Sequence, residues 1–516
     1  MKVVIVGGVA GGASCAARLR RLDETAEIIM VERGPYLSYA NCGLPYHVGG
    51  VIPEESKLLV ASAAMFRALF LVDARTHCEA IAISPDRKTV DLKNIETGEV
   101  TTESYDKLVL SPGANPIRPP LPGIDLPGIF QVRTVPDARK IREWLEKGSP
   151  FLAGMNNYSG FQTVRPKTRA VVIGGGFIGL EMAENLAHRG FDVTLIEMAD
   201  QVLGPIDPEM AHIVETHLER HGVRVILEDG GAEFRQTASA SLEVKTKSGK
   251  THSADIVILG IGVRPDTALA KAAGLEIGER GGIRVDDQMR TSDSDIFAVG
   301  DAVEVKDFVT DQWSLIALAG PANRQGRIAA DVISGRDSRF RGTQGTAIVG
   351  LFGAAAAWTG ASEKSLKRLG DEDYEKVYLY PNSHAGYYPG AKPIAMKVLF
   401  RKSDGRLLGA QALGWDGVDK RISVLAGFIQ MGATVYDLEE SELCYAPQFG
   451  SAKDPVNFAG MVAADVLRDD MPVSHWESID DGFLLDVRQP AELAVEHAPG
   501  AVNIPLGELR SRLDEL

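Results

Sequence analysis

The sequence predicts an α/β protein with two similar βαβ units and a smaller α+β region. The first indication is Lys2–Val6, a β-branched run typical of a buried parallel strand, which leads into a glycine-rich turn and a helical pattern. The second is the same order of features beginning at Ala170–Ile173. The third is a pair of strand-like runs on either side of Asp404-Gly405, a dipeptide typical of β-hairpins.

Length and charge limit the possible functions. At 516 residues the chain exceeds what a single hydrophobic core usually holds. Its 55 Lys and Arg against 70 Asp and Glu give a formal net charge of −15. This charge argues against a nucleic-acid or anionic-membrane binder, because both need a broad basic surface. The first apolar run is too short for a signal peptide, and no run is long enough to span a membrane.

The four cysteines are Cys15, Cys42, Cys78 and Cys444. They show neither a CxxC motif nor zinc-ligand spacing, so we expect no metal site. Their wide separation is typical of a reducing compartment, and we expect a cytoplasmic protein. Cys15 shares a helical face with Leu19 and Leu22, which predicts a core position.

The second glycine loop, Gly174-x-Gly176-x-x-Gly179, has the features of a dinucleotide site. Its glycines allow a tight turn, the approach of a pyrophosphate, and close packing of helix on strand. The predicted helix Leu180–Arg189 then offers free N–H groups to the phosphates. Glu197 ends the next strand, where it can accept hydrogen bonds from a ribose diol and would repel a 2′-phosphate. The pattern therefore favours NADH, with NADPH as the alternative.

The first glycine loop departs from this pattern at one position. It keeps Gly7, Gly11 and Gly12, whereas Val9 takes the middle place. Glu32 follows Gly12 by twenty residues and restores the ribose contact. We therefore predict a second dinucleotide site here.

The segment Thr291–Asp301 resembles the second flavin motif of flavoproteins with two dinucleotide domains. In that family the residue at the position of Asp301 contacts the ribityl chain of FAD. The alternative is an ordinary turn after a strand. The presence of both glycine loops favours the FAD interpretation.

Cys42 carries the most specific chemistry in the sequence. It is followed by Gly43 and by a predicted helix start at Leu44-Pro45. A helix N-terminus stabilises a thiolate, so we expect a lowered pKa for Cys42. Dithiol reductases carry a second cysteine five residues later, where this chain has His47. A single cysteine must then cycle through a mixed disulfide, a persulfide or a sulfenic acid.

Residues 1–465 resemble the single-cysteine pyridine-nucleotide flavoprotein reductases. The segment Asn41–Tyr46 is similar to coenzyme A-disulfide reductases rather than to NADH oxidases or peroxidases. Close relatives in this group are fusions with a rhodanese domain, described as CoA-disulfide or NAD(P)H persulfide/polysulfide reductases. The resemblance implies a homodimer in which the C-terminal part of one subunit reaches the flavin of the other.

The resemblance also implies a domain order. We expect an FAD domain at 1–147 and 285–329, an NAD domain at 148–284, a dimerisation domain at 330–465, a linker at 466–480 and the N-terminal part of a rhodanese-like domain at 481–516. A surface loop is expected at 148–168.

The rhodanese resemblance rests on Leu485–Glu492 and His497–Pro505. A rhodanese domain needs a cysteine on a later loop, and no cysteine follows Cys444. We therefore expect no rhodanese chemistry from these residues. A shortened chain and a vestigial domain are the two alternatives.

Several site residues are implied by the same resemblance. The expected cofactor-binding residues are Gly7, Gly8, Gly11, Gly12, Glu32, Arg33, Asn41, Ser111, Gly113, Gly174, Gly176, Gly179, Glu197, Gly262, Gly300, Asp301 and Ala319. Tyr387 and Tyr445 align with tyrosines that approach the cysteine from the partner subunit, where a phenol can protonate a departing thiolate. The alternative is that both are packed interface tyrosines, and Tyr388 leaves the choice between neighbours open.

Coenzyme A has two candidate contact regions. Ser14, Arg18 and Arg21 fall at i, i+4 and i+7, so they share one face of the first helix. That face could hold the ADP-phosphate portion of coenzyme A or could be an ordinary solvated basic face. Ser38 and Asn41 are the candidates for orienting the thiol end.

The predicted activity is NADH-dependent reduction of a small-molecule disulfide, CoA persulfide or polysulfide. The resemblance implies that NADH reduces FAD, which then releases coenzyme A from a mixed disulfide with Cys42. One alternative is an NADH oxidase or peroxidase, but those relatives usually carry an early histidine and Gly7–Gly12 has none. The other is a slow, redox-sensing flavoprotein.

Overall fold

The computed structural model describes residues 1–147, 168–238, 241–479 and 482–516. All but the last residue of the loop predicted at 148–168 lies outside these ranges. The chain forms two compact units, Met1–Ala463 and Ala464–Leu516. Among the described residues, no helix combines the length and the hydropathy needed to cross a membrane.

A five-stranded parallel sheet organises the first part of the larger unit. In spatial order its strands are Ile296–Ala298, Lys107–Leu110, Lys2–Val6, Glu27–Val31 and Val72–Arg75. Val3, Val4 and Ile5 are fully buried, as expected for a parallel strand covered on both faces. The first helix, which the sequence pattern predicts at Ala13–Leu22, spans Ala10–Leu22, because Gly11 and Gly12 belong to its first turn.

The second parallel sheet repeats this arrangement. Its strands, again in spatial order, are Arg224–Ile226, Asp192–Ile196, Arg169–Ile173, Ile256–Leu259 and Ile129–Phe130. The helix after the second glycine loop is Phe177–His188, so it also begins before its predicted start. The two βαβ units predicted from the sequence are therefore confirmed.

A five-stranded antiparallel sheet forms the α+β region. Its spatial order is Ala347–Leu351, Ala354–Gly360, Leu407–Gly414, Ala395–Arg401 and Tyr374–Leu379. The strands Ala395–Arg401 and Leu407–Gly414 pair as the predicted hairpin around Asp404-Gly405.

Smaller sheets and further helices complete the larger unit. The remaining strands are Cys78–Ser84, Thr89–Asn94 and Val100–Ser104; Gly231–Gln236, Leu242–Thr246 and Thr251–Ala254; Ala114–Pro116 with Val263–Pro265; and Ile283–Arg284, Val303–Lys306 and Trp313–Ser314. In the described part of this unit, the remaining α-helices are Leu44–Gly49, Ala63–Phe70, Val135–Lys147, Pro208–Arg220, Ala268–Ala272, Ala319–Ile333, Glu363–Leu369, Val418–Met431, Val435–Glu439 and Pro455–Leu467, the last of which continues past residue 463.

The helix Ala319–Ile333 lies against the first helix through a close backbone contact. A Cβ atom added to Gly326 would overlap the carbonyl oxygen of Gly11. Only glycine lets the two helices approach this closely. The first nucleotide unit is thus fastened by backbone packing.

A buried ion cluster fastens the second nucleotide unit to the antiparallel sheet. The ammonium of Lys397, which is 0% exposed, lies 2.9 Å from Asp207, 2.5 Å from Glu209 and 2.6 Å from Glu363. Asp207 also accepts hydrogen bonds from the backbone N–H groups of Glu363 and Lys364, at the start of the helix Glu363–Leu369. These contacts satisfy charges that would otherwise be costly to bury.

The smaller unit contains two short parallel strands, Leu485–Asp486 and Val502–Asn503, and the short helices Pro490–Leu493 and Leu506–Leu509. The guanidinium of Arg488 forms a 2.7 Å ion pair with the carboxylate of Asp486, the last residue of the first strand. The rhodanese resemblance of this segment stays a prediction.

Candidate active site

The first glycine loop opens onto a cavity of about 710 Å³. Eight of the predicted cofactor-binding residues line it: Gly11, Glu32, Arg33, Asn41, Ser111, Gly113, Gly300 and Asp301. Ala319 begins the helix Ala319–Ile333, and Ala322 from the same helix reaches the wall. Gly262 lies between the strands Ile256–Leu259 and Val263–Pro265, where its carbonyl accepts a hydrogen bond from the backbone N–H of Ile117.

The loop backbone has the shape of a nucleotide cradle. A Cβ atom on Gly12 would overlap the carbonyl oxygen of Gly7, so the helix and the loop approach as closely as a dinucleotide site requires. The N–H of Gly12 donates to the Ser111 hydroxyl at 3.1 Å. Glu32 accepts the N–H of Gly8 at 3.1 Å, which fixes its carboxylate beside the loop. The side-chain oxygen of Asn41 is buried without a hydrogen-bond partner, as expected of an atom that serves a ligand.

The second loop reproduces these contacts. The N–H of Gly175 donates to Glu197 at 2.5 Å, and a Cβ atom on Gly179 would overlap the carbonyl oxygen of Gly174. The other Glu197 carboxylate oxygen accepts the N–H of Ala199 at 2.8 Å. At Gly176, in contrast, an added Cβ would meet no atom within 4 Å. The middle glycine is therefore not required by the packing of the protein itself.

Cys42 lies in the 3₁₀ turn Asn41–Gly43, which runs directly into the helix Leu44–Gly49. Cys42 is exposed, and the preceding residue, Asn41, lines the cavity. The predicted helix start near Leu44-Pro45 is confirmed.

The predicted lowering of the Cys42 pKa is wrong for this structure. Desolvation by the surrounding protein raises the pKa of the Cys42 thiol, and the carboxylates of Glu181 and Asp301 raise it further. A helix of six residues contributes a weaker effect than these nearby groups.

Glu181 is a functional candidate that the sequence analysis missed. It lies two residues after Gly179, and its carboxylate accepts a 3.1 Å hydrogen bond from the hydroxyl of Tyr46. Burial raises the pKa of Glu181 to about 7, and the nearby carboxylate of Glu184 adds to the effect. Only the tertiary packing of the two helices reveals this residue.

Arg133 is a second residue that the sequence analysis missed. It lines the cavity, and its guanidinium lies 4.0 Å from the carboxylate of Asp301. The segment 127–137, which contributes much of one wall, carries no recognisable nucleotide motif.

Tyr387 and Tyr445 lie next to each other. Their hydroxyl groups lie 2.8 Å apart, and both side chains are exposed. Tyr388 instead packs with its ring against His384. The contact distinguishes Tyr387 from its neighbour, although the catalytic role of the pair stays a prediction.

Cys444 is exposed and lines a separate cavity of about 510 Å³. Cys15 and Cys78 are buried, and burial raises the pKa of Cys15 to about 12. Leu19, on the same helical face as Cys15, is fully buried, in agreement with the predicted core stripe.

The proposed coenzyme A face is partly engaged by the protein itself. Ser14 lies 2.5 Å from the side-chain oxygen of Asn323, and Arg18 forms a 2.8 Å ion pair with Asp331. Arg21 remains exposed, with its guanidinium 5.4 Å from the ring centre of Phe70. Ser14 and Arg18 thus contact the helix Ala319–Ile333, and coenzyme A binding at this face stays a prediction.

Ser38 contributes to the glycine loop through its backbone. Its N–H donates to the carbonyl oxygen of Gly8 at 2.8 Å, and its φ of 43° lies in the left-handed region. Its role in orienting a substrate thiol stays a prediction.

Comparison with known families decides the class of this site. The family model described as pyridine nucleotide-disulphide oxidoreductase matches residues 1–326, and its dimerisation domain matches residues 346–454. The chain belongs to this family. The family implies FAD and a pyridine nucleotide, for which the two glycine loops provide matching cradles.

Three similar proteins refine the comparison. A coenzyme A disulfide reductase of Staphylococcus epidermidis is 34% identical over 90% of this chain and 99% of its own length. The structure of reduced CoADR-RHD from Bacillus anthracis has 48% identity and a TM-score of 0.93, covering 100% of this chain and 90% of the other. A NAD-dependent persulfide reductase from A. fulgidus has 37% identity and a TM-score of 0.90, covering 100% and 92%.

These similarities confirm the predicted enzyme class, a flavin-dependent pyridine nucleotide-disulfide oxidoreductase. They support disulfide or persulfide reduction over the oxidase alternative.

Proposed function

We propose that the enzyme uses NADH to reduce coenzyme A disulfide or a coenzyme A persulfide, with Cys42 as its single redox-active thiol. The observation that carries this proposal is the position of Cys42. It is exposed next to a nucleotide-sized cavity, and the buried side chain of His47 occupies the place of a second thiol. The names of the similar proteins support the choice of substrate.

The residues around the first loop would hold FAD. Glu32 suits a ribose diol, the N–H groups at the start of the helix Ala10–Leu22 suit the pyrophosphate, and Asp301 suits the ribityl chain. Bound there, FAD supplies the two-electron transfer between the pyridine nucleotide and the disulfide.

Cys42 provides the sulfur chemistry. Its thiolate attacks one sulfur of the substrate disulfide, so a new S–S bond forms on Cys42 and one thiolate leaves. Two electrons then cleave that mixed disulfide, returning the Cys42 thiolate and releasing the second thiolate. Each departing thiolate takes up one proton from a nearby acid or from water.

Tyr387 and Tyr445 are the proposed proton donors for the departing thiolate. Both side chains are exposed, and both residues lie within the region that matches the dimerisation domain. We infer that they serve Cys42 of a second subunit in a homodimer. The hydrogen bond from one hydroxyl to the other raises the pKa of Tyr387, so it remains protonated at neutral pH.

The test is anaerobic NADH oxidation by the FAD-loaded protein, followed by the loss of NADH absorbance. The oxidants are coenzyme A disulfide, coenzyme A persulfide, polysulfide and peroxide, and air is tested separately. We expect rapid turnover with a sulfur substrate, which Cys42→Ser abolishes. The matched control is Cys444→Ser, which removes the other exposed cysteine and should retain activity.

Two outcomes would contradict the proposal. Faster turnover with peroxide or air would favour the oxidase or peroxidase alternative. The absence of turnover with every oxidant would favour a redox-sensing flavoprotein.

A further inference from the structure

The helix that follows the second glycine loop is docked along one face onto the helix that follows Cys42. Glu181, Asn185 and Arg189 are spaced at i, i+4 and i+8, so they share that face. Glu181 accepts a hydrogen bond from Tyr46 at 3.1 Å, and Arg189 donates to the carbonyl oxygen of Val48 at 2.9 Å.

The Asn185 side chain occupies the middle of this contact. A Cβ atom on Gly49 would overlap its side-chain oxygen, so the two helices lie as close as glycine allows. The nucleotide loop and the cysteine segment are therefore held in one fixed arrangement.

This arrangement brings a carboxyl group close to Cys42. Cys42 and Tyr46 are four residues apart in a continuous helical stretch, so they lie on the same side of it. Glu181 is hydrogen-bonded to Tyr46 on that side, and its carboxylate is near enough to raise the pKa of the Cys42 thiol.

We propose that Glu181 and Tyr46 form a proton-holding pair that controls the charge beside Cys42, and thereby the fraction of Cys42 present as thiolate. An ionised Glu181 repels the thiolate, whereas a protonated Glu181 does not. The inference rests on the proposed role of Cys42 as the reacting thiol.

The electrostatic surroundings allow both states of Glu181 near neutral pH. Burial and the neighbouring Glu184 raise the pKa of Glu181, whereas the hydrogen bond from Tyr46 lowers it. The raising effects are larger, and the resulting pKa is about 7. Tyr46 itself stays protonated, because burial and the Glu181 carboxylate raise its pKa.

Other charged groups face this pair. Asp301 also raises the pKa of Cys42, and Arg133 partly offsets the charge of Asp301. His47, on the cysteine helix, lies 2.7 Å from the carbonyl oxygen of Ile52. The Glu184 carboxylate accepts the backbone N–H of Phe352 at 2.6 Å. None of these contacts neutralises Glu181 directly.

The expected consequence is a coupled titration of Glu181 and Cys42. As the pH rises through about 7, Glu181 loses its proton first, and its charge then opposes ionisation of Cys42. The pair thus limits the rise in thiolate that a pH increase would otherwise cause.

The test is the rate of Cys42 alkylation by iodoacetamide as a function of pH. It uses the full-length, FAD-loaded protein, reduced with dithiothreitol and freed of coenzyme A, with the Cys42 peptide quantified by mass spectrometry. Because no disulfide substrate is involved, the result is independent of whether the proposed activity is found.

Glu181→Gln should alkylate about tenfold faster than the wild type between neutral pH and the pKa of Cys42. The difference should vanish in acid, where the wild-type Glu181 is already neutral. Tyr46→Phe should be faster only near neutral pH, because loss of its hydrogen bond raises the pKa of Glu181. At alkaline pH it should converge on the wild type. Glu219→Gln, which removes an exposed carboxylate from the helix Pro208–Arg220, should match the wild type throughout.

A second measurement guards against misfolded variants. Infrared difference spectra of the wild type should show a protonated carboxyl band that titrates near pH 7. Glu181→Gln should lack this band, and in Tyr46→Phe the band should persist to higher pH. The proposal is overturned if this band is absent from the wild type. It is equally overturned if Glu181→Gln keeps the wild-type alkylation profile or slows alkylation at every pH.

Discussion

The two glycine loops have nearly the same backbone but differ at the middle position. In each, the first glycine adopts a positive φ, 97° at Gly7 and 108° at Gly174. In each, the acidic residue after the next strand accepts the N–H of the residue that follows this first glycine. Glu32 accepts the N–H of Gly8, and Glu197 accepts the N–H of Gly175. The middle residue is Val9 in the first loop and Gly176 in the second.

This difference separates two requirements that a glycine motif usually combines. Gly12 and Gly179 are needed by the fold, because an added Cβ would overlap the backbone of the same loop. A Cβ added at Gly176 would meet no atom within 4 Å, so we predict that glycine is required there by a ligand that approaches the backbone. The first loop tolerates Val9 at that position, and Val9 lines the cavity.

The two units also differ in how they are held. The first is fastened by the glycine contact between Gly11 and Gly326 together with one partly exposed ion pair, Arg18–Asp331, and the second by the buried ion cluster around Lys397. Backbone packing is insensitive to pH, and a partly exposed ion pair contributes less to stability than a buried charge cluster. The two halves should therefore respond differently to mutation and to acid.

The largest expected effect is from Lys397→Met. Removal of the ammonium leaves the buried carboxylates of Asp207 and Glu363 without a shared counter-ion, which should cost about 3–5 kcal/mol of unfolding free energy. The measurement is chemical denaturation of the FAD-loaded protein. Lys402→Met, at an exposed position, is the control. An unchanged midpoint would show that the cluster contributes nothing net.

The same variant should alter acid sensitivity. The lysines around Glu363, including Lys397, hold its pKa far below the ordinary value of 4.5 despite burial. Its ion pairs therefore stabilise the protein above that value, and the contribution is lost as the pH falls. Lys397→Met should make the loss of stability in acid shallower.

Gly12→Ala and Gly179→Ala should have the next largest effects, each limited to its own loop. The new methyl group cannot avoid the backbone carbonyl of Gly7 or Gly174 by changing rotamer. We expect Gly12→Ala to lose FAD on purification. Gly179→Ala should keep FAD but raise KM for NADH at least about tenfold, or about 1.4 kcal/mol. Loss of FAD from Gly179→Ala would show that the loops are not independent.

Gly176→Val should have a smaller effect and would make the second loop resemble the first. The protein should fold with nearly unchanged stability, because a Cβ at this position meets no atom within 4 Å, yet KM for NADH should rise several-fold. The reciprocal change, Val9→Gly, should retain FAD. A Gly176→Val variant with normal KM would mean that the nucleotide does not approach this backbone.

The smallest expected effect is on coenzyme preference. Glu197→Gln removes the charge that would repel a 2′-phosphate, while its side-chain oxygen can still accept the N–H of Gly175. The ratio of kcat/KM for NADPH to that for NADH should rise a few-fold. Glu32→Gln, the matching change in the first loop, should leave this ratio unaltered. Equal changes in both variants would contradict the assignment of the loops.

Sequence patterns were most informative where a short segment carries its own physical requirement. The glycine loops, the hairpin at Asp404-Gly405 and the position of Cys42 before a helix all depend on residues close together in the chain. The predicted starts of the two helices that follow the glycine loops were less accurate. Glycines inside the first turn of both loop helices hide the beginning of the helical pattern.

Interactions between distant segments were not predictable. The ion pair between Arg18 and Asp331 engages one of the basic side chains on the first helix. No residue near Arg18 in the sequence predicts this ion pair. The wrong prediction for the Cys42 pKa has the same origin. Its local helix favours the thiolate, but burial and carboxylates that are remote in sequence outweigh it.

The sequence by itself determined the two nucleotide loops, the position of Cys42 directly before a helix and the family to which the chain belongs. These features follow from local backbone geometry and from residue chemistry at fixed spacing. Only the tertiary structure decided which charges surround Cys42, which tyrosine pairs with Tyr445 and how each nucleotide unit is held. Burial and electrostatic energy depend on distances between remote segments, and those distances exist only after the chain has folded.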